Sequence, residues 1–173
     1  MTTDDLIIDD EPLEGDGTVI GKRAPEFSLP DQFGSETSLA ALCKQGPLIL
    51  AFYPGDFTMV CTKQLCNYRD HMADFRDLGL QVVGVSPNPA YSHSRFAKKF
   101  DFDFKLLSDA DSRVARAFDC SSVFMFGRVS RAVFVINRQR LVLYRYVEPT
   151  ILTHRSATEL VRIITDLKRN KLL

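Results

Sequence analysis

The sequence predicts a single α/β domain in which helices cover a central mixed β-sheet. From residue 21 onward, apolar runs of strand length alternate with segments of helical periodicity. A hairpin signal near the end of the chain adds antiparallel pairing to the predicted sheet. The chain has 173 residues and a hydrophobic fraction of 45%, which is enough for one buried core.

The charges balance overall but are unevenly distributed along the chain. The 22 lysines and arginines equal the 22 acidic residues, so we expect neither nucleic acid nor an anionic membrane as a partner. Residues 1–17 contain seven acidic residues and no lysine or arginine. Such a segment gains too little from burial to become ordered. We therefore expect a flexible acidic tail over residues 1–17 and a folded domain over residues 18–173.

The cysteine content points to redox chemistry. No basic segment followed by an apolar run begins the chain, and no apolar stretch has membrane-spanning length, which together predict a cytoplasmic location. Cysteines stay mostly reduced in the cytoplasm. The chain has four cysteines, better suited there to redox chemistry than to a disulfide framework, namely Cys43, Cys61, Cys66 and Cys120.

The first half of the predicted domain contains two strands and one helix. Residues 24–31 have the pattern of a short edge strand, with Gly34 in the turn that follows. Residues 47–53 form a continuous apolar run bounded by turn residues, which is typical of a strand buried on both faces. A helix over residues 62–77 follows and ends near Gly79.

The second half continues the alternation and ends in a helix. Strands and helices are predicted alternately over residues 80–85, 90–100, 104–107 and 111–118. Two further strands, 132–136 and 141–147, flank a hairpin turn at residues 137–140. The last helix begins with the capping box Ser156-Ala157-Thr158-Glu159.

Cys61 lies at the start of the helix that follows the buried strand. At 100° per residue, Leu65, Tyr68, Met72 and Phe75 point within about 40° of Cys61, so Cys61 belongs to the buried stripe of that helix. Free N–H groups and the helix dipole favour negative charge at a helix N-terminus and lower the pKa of a thiol placed there. Cys61 is therefore the candidate nucleophile, and a buried structural cysteine is the alternative.

The segment before Cys61 carries a specific motif. Pro54, Thr58 and Cys61 stand in the spacing Pro-x3-Thr-x2-Cys, directly after a buried strand and directly before a helix. This arrangement resembles the active-site motif of peroxiredoxins. The run Cys61-Thr62-Lys63-Gln64-Leu65-Cys66-Asn67-Tyr68-Arg69-Asp70 is similar to the bacterioferritin comigratory protein, or peroxiredoxin Q, branch. Segments 84–86, 104–109 and 131–137 also match that branch in order, so the resemblance covers roughly residues 21–167.

The resemblance implies a thioredoxin-like fold and a thiol peroxidase that reduces hydrogen peroxide and organic hydroperoxides. Cys61 would attack the O–O bond, and Thr58 would bridge thiolate and peroxide with its hydroxyl. Pro54 would shield the thiolate from water, and Arg131 would supply the cation that keeps the thiol ionised. Met59 departs from the family pattern, which usually has proline or a small residue there, and we expect it to reshape the mouth of the pocket.

Members of this branch often place a second cysteine five residues after the first, which implies Cys66 as the resolving residue. In an ideal helix the two Cα atoms lie roughly 8.6 Å apart, whereas a disulfide rarely tolerates more than about 7 Å. We therefore expect the first turns of the helix to unwind before a Cys61–Cys66 disulfide forms. Cys120 as the resolving residue, or an external thiol serving a one-cysteine enzyme, are the alternatives. Cys43 is predicted to be a core residue.

The resemblance also implies thioredoxin or a similar dithiol as the reductant, and a monomer or simple dimer. No cofactor or metal is expected, because gaps of 17, 4 and 53 residues between the cysteines form no zinc pattern. Surface positions are predicted for the three histidines, His71, His93 and His154. Two other functions remain open, a thiol–disulfide oxidoreductase on a similar fold and a redox-responsive binding protein.

Overall fold

The computed structural model describes residues 19–122 and 128–173, so the predicted acidic tail lies outside the described residues. The strands, in chain order, are β1 (Ser28–Pro30), β2 (Glu36–Ser38), β3 (Leu48–Phe52), β4 (Gln81–Ser86), β5 (Lys105–Ser108), β6 (Ser121–Ser122), β7 (Arg128–Val129), β8 (Ala132–Ile136) and β9 (Val142–Val147). The helices are α1 (Leu39–Gln45), α2 (Met59–Asp70), α3 (Met72–Asp77), α4 (Ala90–Phe100), α5 (Arg113–Ala117) and α6 (Ala157–Arg169).

Five strands of the described residues form the central sheet in the order β5-β4-β3-β8-β9. β3 runs parallel to β4, and β4 runs parallel to β5. β8 is antiparallel to both β3 and β9, and the turn between β8 and β9 is the predicted hairpin. The predicted mixed sheet with flanking helices is therefore confirmed.

The central strand β3 separates two hydrophobic cores. Its side chains alternate between the faces of the sheet, so Leu48, Leu50 and Phe52 pack into one core. Ile49, Ala51 and Tyr53 pack into the other, which also contains Cys61. The predicted burial of this strand on both faces is confirmed, because all five residues of β3 are buried.

Several local features differ from the prediction. The helix predicted over 62–77 begins earlier, at Met59, and is divided at His71, whose φ of −111° and ψ of 15° break the helical path. The apolar stripe continues past this break into α3, so the periodicity of the sequence did not reveal it. β1 lies outside the central sheet and pairs with β2 in a separate two-stranded ribbon. α1 was not predicted, because seven residues are too few for a clear helical period.

The described helices are all too short or too polar to cross a membrane. The final helix α6 begins as predicted, with Ser156 as its N-cap residue. Its hydroxyl accepts a hydrogen bond from the Glu159 backbone N–H, and the Glu159 carboxylate accepts one from the Ser156 backbone N–H. This reciprocal capping satisfies two N–H groups that a helix start leaves without partners.

Candidate active site

Cys61 is the third residue of α2, at the carboxyl end of the central strand. The loop of residues 53–58 connects β3 to this helix. Thr58 occupies the N-cap position with extended backbone angles, and its carbonyl accepts the first helical hydrogen bond, from the Thr62 N–H. Cys61 is fully buried and belongs to the first turn of α2, where backbone N–H groups without helical acceptors favour an anion.

Sheet pairing brings Arg131 to Cys61. Arg131 directly precedes β8, and the pairing of Ala132 with Phe52 places it beside the end of β3. Its Nη1 donates a hydrogen bond of 2.9 Å to Cys61 Sγ, although the two residues are 70 positions apart in the chain. Arg131 is only 4% exposed, so the guanidinium charge acts on the sulfur at short range with little screening by solvent.

Backbone carbonyls of the segment before α6 fix the orientation of Arg131. Nε donates to the Thr153 carbonyl and Nη2 to the Ile151 carbonyl, each at 3.0 Å. Nη1 also lies 3.4 Å from Gln64 Oε1. The planar guanidinium has donors in a rigid fork, so these contacts leave Nη1 directed at the sulfur.

A buried chain of hydrogen bonds continues from Arg131 along α2. Gln64 Nε2 donates to the Tyr68 hydroxyl at 3.1 Å, and that hydroxyl donates to the Arg155 carbonyl at 2.8 Å. Burial, more than any other influence, raises the pKa of Tyr68, which keeps it a neutral donor. Gln64 and Tyr68 were not singled out as site residues from the sequence. Their spacing of three and seven residues from Cys61, on the same helical face, was the available signal.

Thr58 and Pro54 line the loop before Cys61. The Thr58 hydroxyl donates to the Gly55 carbonyl at 3.0 Å, so its proton is engaged and its oxygen is left to accept a hydrogen bond. Thr58 is exposed, whereas Pro54 is half-buried. The loop therefore provides an acceptor, three residues before Cys61, that a hydrogen-bond donor from solvent can reach.

Two large apolar side chains lie at the surface of this region. Met59, the first residue of α2, is 86% exposed. Phe57 has a φ of +60°, a left-handed conformation that is uncommon for a bulky residue. Its ring packs against Phe96, with the ring centroids 4.9 Å apart, so α4 supports the conformation of the loop.

The other three cysteines occupy different environments, and all four thiols are free. Cys66 is half-buried on α2, which agrees with the predicted flank position, and burial raises its pKa. Cys43 is buried in the core on the opposite face of the sheet, as predicted, and burial raises its pKa to about 11. Cys120 lies in that same core, where Sγ donates to the Ala115 carbonyl and burial raises its pKa. The sheet thus separates Cys120 from Cys61.

The prediction of a surface position is wrong for His93, which is fully buried. Its ring contacts the buried carboxylate of Asp56 in the loop of residues 53–58. His93 shares the buried face of α4 with Phe96 and Ala97, three and four residues on. That spacing in the sequence was the signal that could have placed it inside. His71 and His154 are partly exposed.

Comparison with known proteins gives one family. The AhpC/TSA family model matches residues 20–145. The chloroplastic peroxiredoxin Q of Triticum aestivum is 37% identical over 126 residues, which cover 73% of this chain and 58% of the wheat protein. The chain therefore spans less than two thirds of the length of this relative.

Solved structures share the architecture. Peroxidoxin BcpB from Mycobacterium tuberculosis has a TM-score of 0.77 and 31% identity, covering 88% of this chain and 97% of that chain. The Xanthomonas campestris bacterioferritin comigratory protein, studied for its alkyl peroxide reduction activity, has a TM-score of 0.71 and 26% identity, covering 83% and 91%. The predicted thioredoxin-like fold is confirmed, and the chain belongs to the AhpC/TSA family, among the peroxiredoxins of the peroxiredoxin Q type.

Proposed function

We propose that the protein is a thiol-dependent peroxidase that reduces hydrogen peroxide and organic hydroperoxides through Cys61. The observation that carries the proposal is the 2.9 Å hydrogen bond from the buried Arg131 guanidinium to Cys61 Sγ at the N-terminus of α2. A permanent cation and free helical N–H groups together stabilise the thiolate, which is the nucleophilic form of cysteine. Membership of the peroxiredoxin family supports the same reaction.

The reaction proposed is a displacement at oxygen. The Cys61 thiolate attacks one peroxide oxygen, an S–O bond forms as the O–O bond breaks, and the sulfur becomes a sulfenic acid. The leaving oxygen departs as water or an alcohol after taking a proton. Thr58 accepts a hydrogen bond from the peroxide hydroxyl, and Arg131 and the N–H groups of the first helical turn stabilise the charge that develops on oxygen. Pro54 limits the access of water to the thiolate.

Cys66 is proposed to resolve the sulfenic acid. Its thiolate attacks the oxidised sulfur, water leaves, and a disulfide links the two residues. Both lie in the continuous helix α2, where ideal geometry separates the Cα atoms by roughly 8.6 Å. The first turns of α2 must therefore open before the bond closes. The half-buried position of Cys66 on α2 supports this role, and the burial of Cys120 in the opposite core disfavours the alternative.

The reductant is proposed to be thioredoxin or a similar dithiol, because an intramolecular disulfide is opened by thiol–disulfide exchange. The proposed species is a monomer or simple dimer in the cytoplasm. Met59 lies at the surface of the helix start, where its side chain would meet a bulky substrate before the sulfur does. We therefore propose that it influences which hydroperoxide is preferred.

Steady-state peroxide consumption with thioredoxin, thioredoxin reductase and NADPH tests the proposed function. Turnover that is abolished in Cys61→Ser supports the peroxidase. One stoichiometric oxidation without turnover would instead favour a redox-responsive binding protein, and disulfide reduction without peroxide consumption would favour an oxidoreductase. Mass mapping of the peroxide-treated protein then identifies the disulfide partner of Cys61.

A further inference from the structure

A second group of buried polar side chains lies behind the loop of residues 53–58, which under the proposed function is the peroxidatic loop. We define the Asp56 cluster as Tyr53, Asp56, Ser92 and His93. Tyr53 directly follows the central strand β3, Asp56 lies further along the loop, and the other two belong to α4. The side chains of Asp56 and His93 are both 0% exposed. Burying two ionisable groups is costly unless they are paired and hydrogen-bonded, so the cluster calls for a physical explanation.

Asp56 is hydrogen-bonded from several directions. Oδ1 accepts from the Tyr53 hydroxyl and Oδ2 from the Ser92 hydroxyl, each at 2.7 Å. His93 Nδ1 lies 3.0 and 2.9 Å from the two carboxylate oxygens. The Asp56 backbone N–H donates to Asn88 Oδ1 at 2.9 Å, in the segment that leads into α4. Asp56 is thus attached to the residue that follows β3, to α4 and to the connection between β4 and α4.

The hydrogen-bond donors and acceptors around the pair show that Asp56 and His93 share one proton. His93 Nε2 lies 3.1 Å from the Leu107 carbonyl in β5. A carbonyl oxygen only accepts, so Nε2 carries a proton. Nδ1 faces the oxygens of Asp56 and lies 3.4 Å from the Tyr53 hydroxyl. That hydroxyl donates to the nearer Asp56 Oδ1 at 2.7 Å, and Ser92 also donates to the carboxylate, so neither supplies the proton at Nδ1. Contacts of 2.9 and 3.0 Å at Nδ1 therefore require one further proton between the ring and the carboxylate, and the pair has no net charge.

Tyr53 connects the Asp56 cluster to the candidate nucleophile. Tyr53 and Cys61 pack in the same hydrophobic core, and both are 0% exposed. Burial first, then the negative charge of Asp56 and also that of Cys61, raise the pKa of Tyr53 well above its usual range. Tyr53 therefore remains a neutral donor to Asp56 and lies within electrostatic range of the sulfur. A carboxylate without its shared proton would disfavour a second negative charge on Cys61.

The backbone of the loop shows why such an anchor is needed. Phe57, between Asp56 and Thr58, has the left-handed φ of +60°. A bulky residue keeps this conformation only where its surroundings hold it. The Asp56 cluster fixes the backbone directly before Phe57, and the ring of Phe57 itself packs against Phe96 of α4. Thr58, the next residue, is thereby set in place relative to Cys61.

We propose that Asp56 and His93 are positioning residues for the peroxidase reaction. They attach the peroxidatic loop to α4 and β5, which places Thr58, and their shared proton keeps a buried carboxylate from opposing the Cys61 thiolate. The inference rests on the proposed function and adds two residues that act through Thr58 and Cys61 rather than on the peroxide itself.

The two effects are separated by comparing two reactions of Cys61 in the full-length protein. Alkylation by iodoacetamide requires only the thiolate, whereas peroxide reduction also requires Thr58 in place. His93→Gln leaves the carboxylate without the shared proton, so both rates at neutral pH should fall by about tenfold, along with the thiolate absorbance in the ultraviolet. Asp56→Asn removes the carboxylate, so the cluster stays without net charge, but it loosens the loop. Alkylation should then stay within about threefold of wild type while peroxide reduction falls by at least about tenfold.

The double variant Asp56→Asn/His93→Gln tests the charge effect directly. In the double variant the Asp56 cluster again carries no net charge, so Cys61 should be alkylated several-fold faster than in His93→Gln alone. Mass spectrometry of the Cys61 peptide measures the rate of alkylation. Wild-type alkylation in His93→Gln, or a double variant no faster than His93→Gln, overturns the inference. Asp109→Asn is the matched control, because Asp109 is a buried carboxylate that accepts from two backbone N–H groups of α5. It should lower thermal stability without slowing alkylation.

A milder substitution keeps the inference testable if a buried substitution prevents folding. Tyr53→Phe removes only the hydroxyl that donates to Asp56, so peroxide reduction should fall by a few-fold, and an unchanged rate overturns the inference.

Different results overturn the proposed function and the role of Asp56 and His93. Absence of turnover in the wild-type protein overturns the peroxidase alone, whereas wild-type turnover combined with unaltered alkylation in His93→Gln overturns only the role of Asp56 and His93.

Discussion

Replacing Arg131 by methionine removes the cation that contacts Cys61 while keeping much of the side-chain volume. At 2.9 Å, two unit charges attract by roughly 6 kcal/mol at an effective dielectric constant of about 20. Desolvation of both groups offsets most of this, and hydrogen bonds to charged groups contribute about 1.5–3 kcal/mol net. Since about 1.4 kcal/mol is a factor of ten in rate, peroxide reduction by Arg131→Met should slow by roughly 10- to 150-fold.

The assay is the second-order rate constant for peroxide oxidation of Cys61, measured by stopped flow, together with the thiolate absorbance at neutral pH. Arg131→Lys keeps the charge but loses the fork that reaches the Ile151 and Thr153 carbonyls, so we expect an intermediate rate. Arg145→Met is the matched control, because this arginine lies in the same sheet and contacts Asp119. Wild-type rate and wild-type thiolate absorbance in the Arg131→Met variant would refute the electrostatic reasoning.

Three further predictions follow from the structure. Cys66→Ser should undergo the first peroxide oxidation at the wild-type rate but lose thioredoxin-dependent turnover, and dimedone should trap the sulfenic acid at Cys61. Cys120→Ser, the control, should turn over normally. Normal turnover in Cys66→Ser would contradict the resolving role. Burial raises the pKa of the Cys43 thiol to about 11 from an ordinary value of 9.0. The stability that the buried, protonated thiol contributes is therefore complete below pH 9.0 and is lost as the pH rises from there through about 11. As the pH rises through this range, the free energy of unfolding in urea should fall by on the order of 2–3 kcal/mol more for the wild-type protein than for Cys43→Ala. Parallel pH profiles for the two proteins would contradict this. Met59→Pro should fold, because proline suits the first helical position, and should change the ratio of rates for cumene hydroperoxide and hydrogen peroxide by a few-fold; an unchanged ratio would remove Met59 from substrate selection.

The elements that depend on local pattern could be predicted from the sequence. The buried strand β3, the hairpin between β8 and β9, and the capping box at Ser156 each follow from runs, turns or spacings within a few residues. The helical direction of Cys61 toward the core is equally local, because it follows from the 3.6-residue period. The break at His71 and the separate ribbon of β1 with β2 were missed, because neither interrupts an apolar pattern.

The sequence by itself determined the candidate nucleophile, its place at a helix start and the motif that precedes it. Only the tertiary structure decided what surrounds the sulfur. Arg131 reaches Cys61 across 70 positions because β8 pairs with β3, and His93 meets Asp56 because α4 packs behind the peroxidatic loop. Periodicity constrains neighbours along one element, whereas a charge beside a buried thiol depends on which strands pair and which helix covers them.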